Sequence, residues 1–206
     1  LKAELEALED GVRQVTPDSL ASSLSGVELL GLRVDDILTL SLADLGILNY
    51  SPQRLDLCKH LSCALEAAQT RMEQKGLRLE PDLCSSRVHV VTDPVRLTQV
   101  LRNVLENSVR YTDTGGLIQV RCHADHTQAF IDILDSEPGV SEEHLPLLFD
   151  RFYTGDAARS RMRSGSGLGL AICHTLLQDQ GASIRALPSP LGGLWIRIII
   201  PLEDKD

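Results

Sequence analysis

Aromatic residues are scarce in this 206-residue chain: one Trp, three Tyr and three Phe, 3% of positions. A core built without them must rest on Leu, Ile, Val and Ala, which suits helices and a helix-covered sheet better than a small all-β sandwich. Basic residues are in deficit too, with 20 Lys and Arg against 29 Asp and Glu, a formal net charge of -9. Neutralising phosphates along a nucleic acid requires a basic face, so a general nucleic-acid binder is disfavoured. Cys58, Cys63, Cys84, Cys122 and Cys173 are odd in number and form no CxxC pair. They suggest neither a disulfide framework nor a zinc knuckle, and a reducing cytosol fits best. No apolar run approaches the roughly 20 residues of a spanning helix, and no signal peptide leads the chain, which is expected to be soluble as it stands. What is present is 43% hydrophobic positions, enough for one ordinary domain plus a smaller attached element.

Leu5, Leu8 and Val12 stand at helical spacing in a segment with neither a capping residue nor an initiator Met. The chain therefore reads as a fragment cut inside a helix. Thr16-Pro17-Asp18 makes a turn and a new helix start, and Leu20, Leu24, Val27, Leu30, Val34, Ile37, Leu38 and Leu45 carry an apolar pattern onward. Two such helices form an antiparallel hairpin whose apolar stripes call for packing on a second copy, as a four-helix bundle. Residues 1–50 are read as this hairpin, Asn49 to Pro52 as a linker, and residues 51–206 as a second domain. There the pattern predicts a strand at Arg54 to Asp56, a helix from Leu57 to Lys75, and strands at Leu77 to Leu83 and Arg87 to Val91. A helix from Pro94 to Tyr111 and strands at Leu117 to His123 and Ala129 to Leu134 follow. A helix from Leu168 to Gln180 then leads to a hairpin of Ser183 to Leu187 and Leu194 to Ile200, turned at Gly192-Gly193. An antiparallel-rich sheet with helices on one face is the expected architecture.

Four segments carry polar residues that packing explains poorly. On the helix ending at Tyr111, Asn103, Asn107, Arg110 and Tyr111 share one face. An Asn amide oxygen is a hard neutral ligand suited to magnesium, which nucleotide phosphates and water complete, while Arg110 and Tyr111 offer donors to phosphate or ribose oxygens. Alone, such a face is more often a solvated surface. Asp135-Ser136-Glu137-Pro138-Gly139 places a carboxylate at a strand end before a turn, an acceptor for an exocyclic amine or simply a Pro-Gly turn. Leu148 to Tyr153 gathers Phe149, Phe152 and Tyr153, the anchor of a hinge or a satellite core. After it, Arg159, Arg161 and Arg163 lie in a stretch with almost no apolar anchor, a loop able to close over an anion or a merely solvated one. Gly165, Gly167 and Gly169 with Leu168 lead into an apolar helix, where bare N–H groups can cradle phosphate. Alone it is weak, and it matches neither a P-loop nor the position of a Rossmann fingerprint.

In this order the segments resemble the N, G1, F and G2 boxes of histidine-kinase ATPase domains, members of the GHKL group. The likeness spans about Leu97 to Ile172, and the flanking strands extend it to Pro201. Its details are similar to the BaeS-type envelope-stress sensor kinases. The resemblance implies an α+β fold, a Bergerat-type ATP-binding α/β sandwich after a truncated helical hairpin. It implies ATP and Mg2+ as cofactors, with Asn107 holding magnesium and Asn103 lining the same site. Arg110 and Tyr111 would meet phosphate or sugar, Asp135 the adenine amino group, and Gly139 would let the ring approach. Gly165, Gly167, Leu168 and Gly169 would form the phosphate-side end of a lid. Thr154 stands where the family often has Arg, which passes phosphate contact to Arg159 or Arg161, and Glu137 stands where it often has Gly.

Asn103 also bears on the reaction. Hydrolytic relatives carry a glutamate there as base for water, whereas a neutral residue favours transfer to a protein nucleophile. The implied function is the catalytic region of a two-component sensor kinase, passing the ATP γ-phosphoryl to a histidine and onward to an aspartate of a response-regulator receiver domain. A homodimer and the cytoplasmic side of a bacterial inner membrane go with that reading. The family's His-Glu-Leu-Arg-x-Pro motif surrounds none of His60, His89, His123, His126, His144 or His174, so this chain is not expected to phosphorylate itself. A nucleotide-binding regulatory module without chemistry and a GHKL-type ATP hydrolase stand as alternatives.

Overall fold

The structure, a computed structural model, describes residues 16–83, 87–154 and 166–202. The chain divides into two compact units, 1–46 and 47–206.

In the first unit, the described part is helix α1, Pro17–Asp44. Thr16 starts it: its hydroxyl accepts the Ser19 N–H at 3.2 Å, and Ser19 Oγ accepts the Thr16 N–H at 2.9 Å. This capping box satisfies two donors that a helix end otherwise leaves bare. Gly46, at φ +65°, follows the helix end. Leu20, Leu24, Val27, Leu30, Val34, Ile37 and Leu38 of α1 are all at least half exposed.

The second unit is built from β1 (Gln53–Asp56), α2 (Leu57–Gln74), β2 (Arg78–Leu83), β3 (His89–Thr92), α3 (Pro94–Tyr111), β4 (Leu117–Ala124), β5 (Gln128–Ser136), α4 (Gly169–Gln178), β6 (Ser183–Pro188) and β7 (Gly192–Pro201). β1 and β3 form a two-stranded antiparallel ribbon, and the other strands form one sheet in the order β2-β4-β5-β7-β6. β2 runs parallel to β4, and the remaining pairs are antiparallel. Alternation decides the faces. Ile118 and Val120 of β4, Ile131 and Ile133 of β5 and Ile196 and Ile198 of β7 are at most 2% exposed. Leu57 and Leu61 of α2, Leu97, Leu101 and Val104 of α3 and Ile172 and Leu176 of α4 are fully buried as well. Each such side chain contributes roughly 1.5–3 kcal/mol by leaving water, so an aliphatic core suffices where aromatics are few.

The intervening residues of β4, β5 and β7 face the other way. Among them, Asp132 accepts from Trp195 Nε1 at 2.7 Å and from Arg197 Nε at 2.7 Å and Nη2 at 3.0 Å. Arg197 lies 4.6 Å from the Trp195 ring centroid, and His123 stacks on Phe130. One buried carboxylate thus ties β5 to β7 on the face away from the helices.

The expected linker belongs to the second unit for a physical reason. Tyr50 Oη donates to Asp179 Oδ2 at 2.7 Å, and the Ser51 N–H donates to Asp93 Oδ2 at 2.8 Å. Asp93 also caps α3 through the N–H groups of Val95 and Arg96, and these bonds hold its carboxyl below the ordinary range despite its burial. The last hairpin turns at residues 189–191, not at Gly192-Gly193; both glycines lie inside β7.

Candidate functional site

The site is assembled around the end of β5. Asp135 is 4% exposed, and its Oδ1 accepts the Leu194 N–H of β7 at 2.6 Å. The Ser108 hydroxyl of α3 donates to the same carboxyl. Burial dominates over both bonds and pushes the Asp135 carboxyl up from 3.8 to about 6. A desolvated carboxylate with two donors still has acceptor capacity left, which a further N–H donor can use.

α3 delivers the polar face. Asn103, Asn107, Arg110 and Tyr111 are all half-buried, while Val100, Val104 and Leu105 on the other side are at most 1% exposed. The Asn103 amide donates to the Gly169 carbonyl at 3.3 Å, so the first and fourth sequence segments meet at the start of α4. Lys75 Nζ donates to the carbonyls of Val109 at 2.6 Å and Arg110 at 2.8 Å. Its ammonium satisfies acceptors at the negative end of α3 and fixes the turn that carries Arg110 and Tyr111.

α4 begins at Gly169 with no side-chain cap, so the N–H groups of its first turn remain for a ligand. Leu168 is 3% exposed and anchors that turn in the core; only its backbone faces outward chemistry. Gly167 has φ +67°, and a Cβ there would stand 2.6 Å from the Phe152 carbonyl carbon. Glycine is thus required twice over, by conformation and by contact. The Phe152 N–H donates to the Gly167 carbonyl at 2.9 Å, which ties the chain before residue 155 to the chain after residue 165. Phe149 sits 5.8 Å from His174, ring to ring. Phe152, by contrast, is 70% exposed with φ +62°, so the aromatic cluster is a neck and not a small core. Arg159, Arg161 and Gly165, expected at this site, lie outside the described residues.

Gly139 also has a packing reason to lack a side chain. A Cβ on it would come within 2.6 Å of the Gly192 carbonyl oxygen, so the missing side chain lets the loop after β5 seat against β7. Three contributors escaped the sequence reading. Ser108 and Lys75 act on residues far from them in the chain, and Gly193 serves not a turn but Asp135, whose Oδ1 a Cβ there would overlap. Only the β5–β7 register, which opposes Leu134 to Trp195, makes that requirement visible.

Residues 92–204, more than half of the chain, match the family described as histidine kinase-, DNA gyrase B- and HSP90-like ATPases. The chain is 42% identical over 203 residues to the signal transduction histidine-protein kinase BaeS of Escherichia coli (strain K12), covering 98% of this chain and 43% of that protein. It therefore spans less than half the length of that relative. Among solved structures, the Acinetobacter baumannii histidine kinase AdeS aligns with a TM-score of 0.78 at 26% identity, over 98% of this chain and 93% of that one. Full-length ShkA in complex with AMPPNP aligns with a TM-score of 0.76 at 25% identity, over 92% of this chain and 40% of that one. The α+β fold, the convergence of separated polar segments on one end of the sheet, and these likenesses agree: the chain belongs to the histidine kinase-like ATPase family.

Proposed function

We propose that this chain is the ATP-binding catalytic region of a two-component sensor histidine kinase. The observation that carries the reading is the convergence at Asp135, where β5, β7 and α3 supply the carboxyl, the Leu194 N–H and the Ser108 hydroxyl. Such an acceptor suits the exocyclic amine of adenine, and the similar protein ShkA holds AMPPNP. The residues fit the nucleotide at its other end too: α4 opens with uncapped N–H groups, and Asn103 and Asn107 present neutral oxygen donors of the kind magnesium takes.

In this reading Asn107 holds Mg2+, Asn103 lines its site, and Arg110 and Tyr111 bind phosphate or sugar oxygens. Gly165, Gly167, Leu168 and Gly169 give the phosphates their backbone, with Arg159 and Arg161 as the closing cations. ATP, when bound, supplies the γ-phosphoryl group. The side chains orient it, neutralise its charge and exclude water, which is most of what phosphoryl transfer asks of a protein. Asn103 cannot deprotonate water, so transfer to a histidine is favoured over hydrolysis. That histidine belongs to a part of the kinase outside these residues, and the phosphoryl passes on to an aspartate of a response-regulator receiver domain. The exposed apolar side chains of α1 fit a homodimeric hairpin. The first unit, residues 1–46, then serves dimerisation and the second, residues 47–206, catalysis, on the cytoplasmic side of a bacterial inner membrane. Among the described residues no helix is long and apolar enough to cross a membrane.

The test is ATP titration with and without Mg2+, for the parent, Asp135→Asn and Asn107→Ala, followed by addition of a separate protein carrying the histidine hairpin. Tight Mg2+-dependent binding and labelling of the added histidine are expected. Binding without transfer would instead identify a regulatory module, and steady phosphate release a hydrolase.

A further inference from the structure

Cys58 lies in the first turn of α2 and Cys122 near the end of β4, 64 residues apart in sequence, yet their sulfur atoms are 3.6 Å apart. Cys122 is 3% exposed, on the helix-covered face of the sheet, and Cys58 is half-buried. Both are thiols in this structure. A disulfide needs about 2.05 Å between sulfurs, so forming one here brings the two sulfurs about 1.5 Å closer. The other described cysteines are placed differently: Cys63 is exposed, and the Cys173 thiol points to the Val100 carbonyl at 3.6 Å.

We propose that Cys58 and Cys122 are a redox modification site, a dithiol that peroxide converts to an intramolecular disulfide. Cys58, the less buried of the two residues, attacks hydrogen peroxide. The O–O bond breaks, one oxygen leaves as water, and the other remains as a sulfenic acid on Cys58. The Cys122 sulfur then attacks the Cys58 sulfur, the S–O bond breaks and a second water leaves. Two thiols and one peroxide give one disulfide and two waters, and the two electrons come from the sulfurs. The product fastens the first turn of α2 to the central sheet, beside β1 and the Tyr50–Ser51 segment that precedes it. It does so away from the nucleotide site, because Cys122 pairs in register with Ile131 whereas Ile118, four residues earlier on β4, pairs with Asp135.

The test is titration of the whole dilute chain with hydrogen peroxide, followed by quenching, intact mass measurement without reductant and peptide mapping. The expected product is a monomer lighter by two hydrogens, with five titratable thiols reduced to three, a Cys58–Cys122 linked peptide, and a raised thermal midpoint that dithiothreitol reverses. Cys58→Ser and Cys122→Ser should each remove the linked peptide and the midpoint shift; because Ser replaces a sulfur conservatively at half-buried position 58, that variant remains folded if the other does not. Oxygen addition at Cys58 without a link, or a link joining any other pair first, would overturn the proposal.

Discussion

Asp135 Oδ1 and the Leu194 N–H are 2.6 Å apart, so the carboxyl expected to read adenine on β5 is aimed by the backbone of β7. The neighbouring Gly193 leaves room for it. Orientation and desolvation are thereby set by the sheet itself, before any ligand arrives.

This burial has a sign that can be measured. With Asp135 raised from 3.8 to about 6, the folded state holds its proton more tightly than the unfolded chain. Its stabilising contribution is complete below the unfolded value and is lost as pH rises through the folded one, about 3 kcal/mol in all. Asp135→Asn removes that loss, since the amide oxygen can still accept from Leu194. The variant should be nearly as stable as the parent at pH 4 and gain on it progressively up to pH 8 in urea unfolding, while nucleotide affinity falls at least tenfold. A variant equally stable at both pH values relative to the parent would contradict the assignment.

Affinity should follow the same group. The ionised carboxyl accepts from an amine better than the neutral one, so binding of adenosine should weaken about tenfold between pH 7.5 and pH 5, as expected for a group near 6. Calorimetry across that range checks it. A flat profile would show that Asp135 does not face the base.

Gly167→Ala should loosen the neck. A left-handed alanine costs roughly 1–2 kcal/mol, and its Cβ would press on the Phe152 backbone. The expected result is a small fall in thermal midpoint with a larger fall in ATP affinity. Gly181, also at positive φ but with nothing within 4 Å, is the control: Gly181→Ala should affect stability and leave affinity unchanged.

Asp132→Ala should do the reverse. It strips the buried acceptor from Trp195 and from the partly exposed Arg197, and leaving such donors without a partner costs roughly 1–3 kcal/mol. The chain's one Trp reports the change directly by its emission. ATP affinity of the folded variant should match the parent, because this network lies on the sheet face away from the helices.

Helix and strand positions were legible because aliphatic residues recur at the period of each element, and Thr16-Pro17 and Asp93-Pro94 mark helix starts by chemistry alone. Asn103 and Asn107 were legible as a face because helical spacing is local. Ser108, Lys75 and Gly193 are not: each acts through a partner between 27 and 58 residues away, and no local pattern records that. The turn at Gly192-Gly193 was misplaced for the same reason, since glycine there answers to Asp135 and Glu137 across the sheet and not to the turn.

The sequence by itself determined which residues could form an aliphatic core, where helices begin, and which four polar segments occur in which order, because periodicity, capping and composition act over a few residues. Tertiary structure alone decided what those segments do to one another. Pairing β5 with β7 buries Asp135 and raises its affinity for protons, packing α3 beside α4 brings Asn103 to Gly169, and laying α2 on β4 brings two thiols together. Desolvation and hydrogen bonding depend on distance in space, which a linear order of residues does not contain.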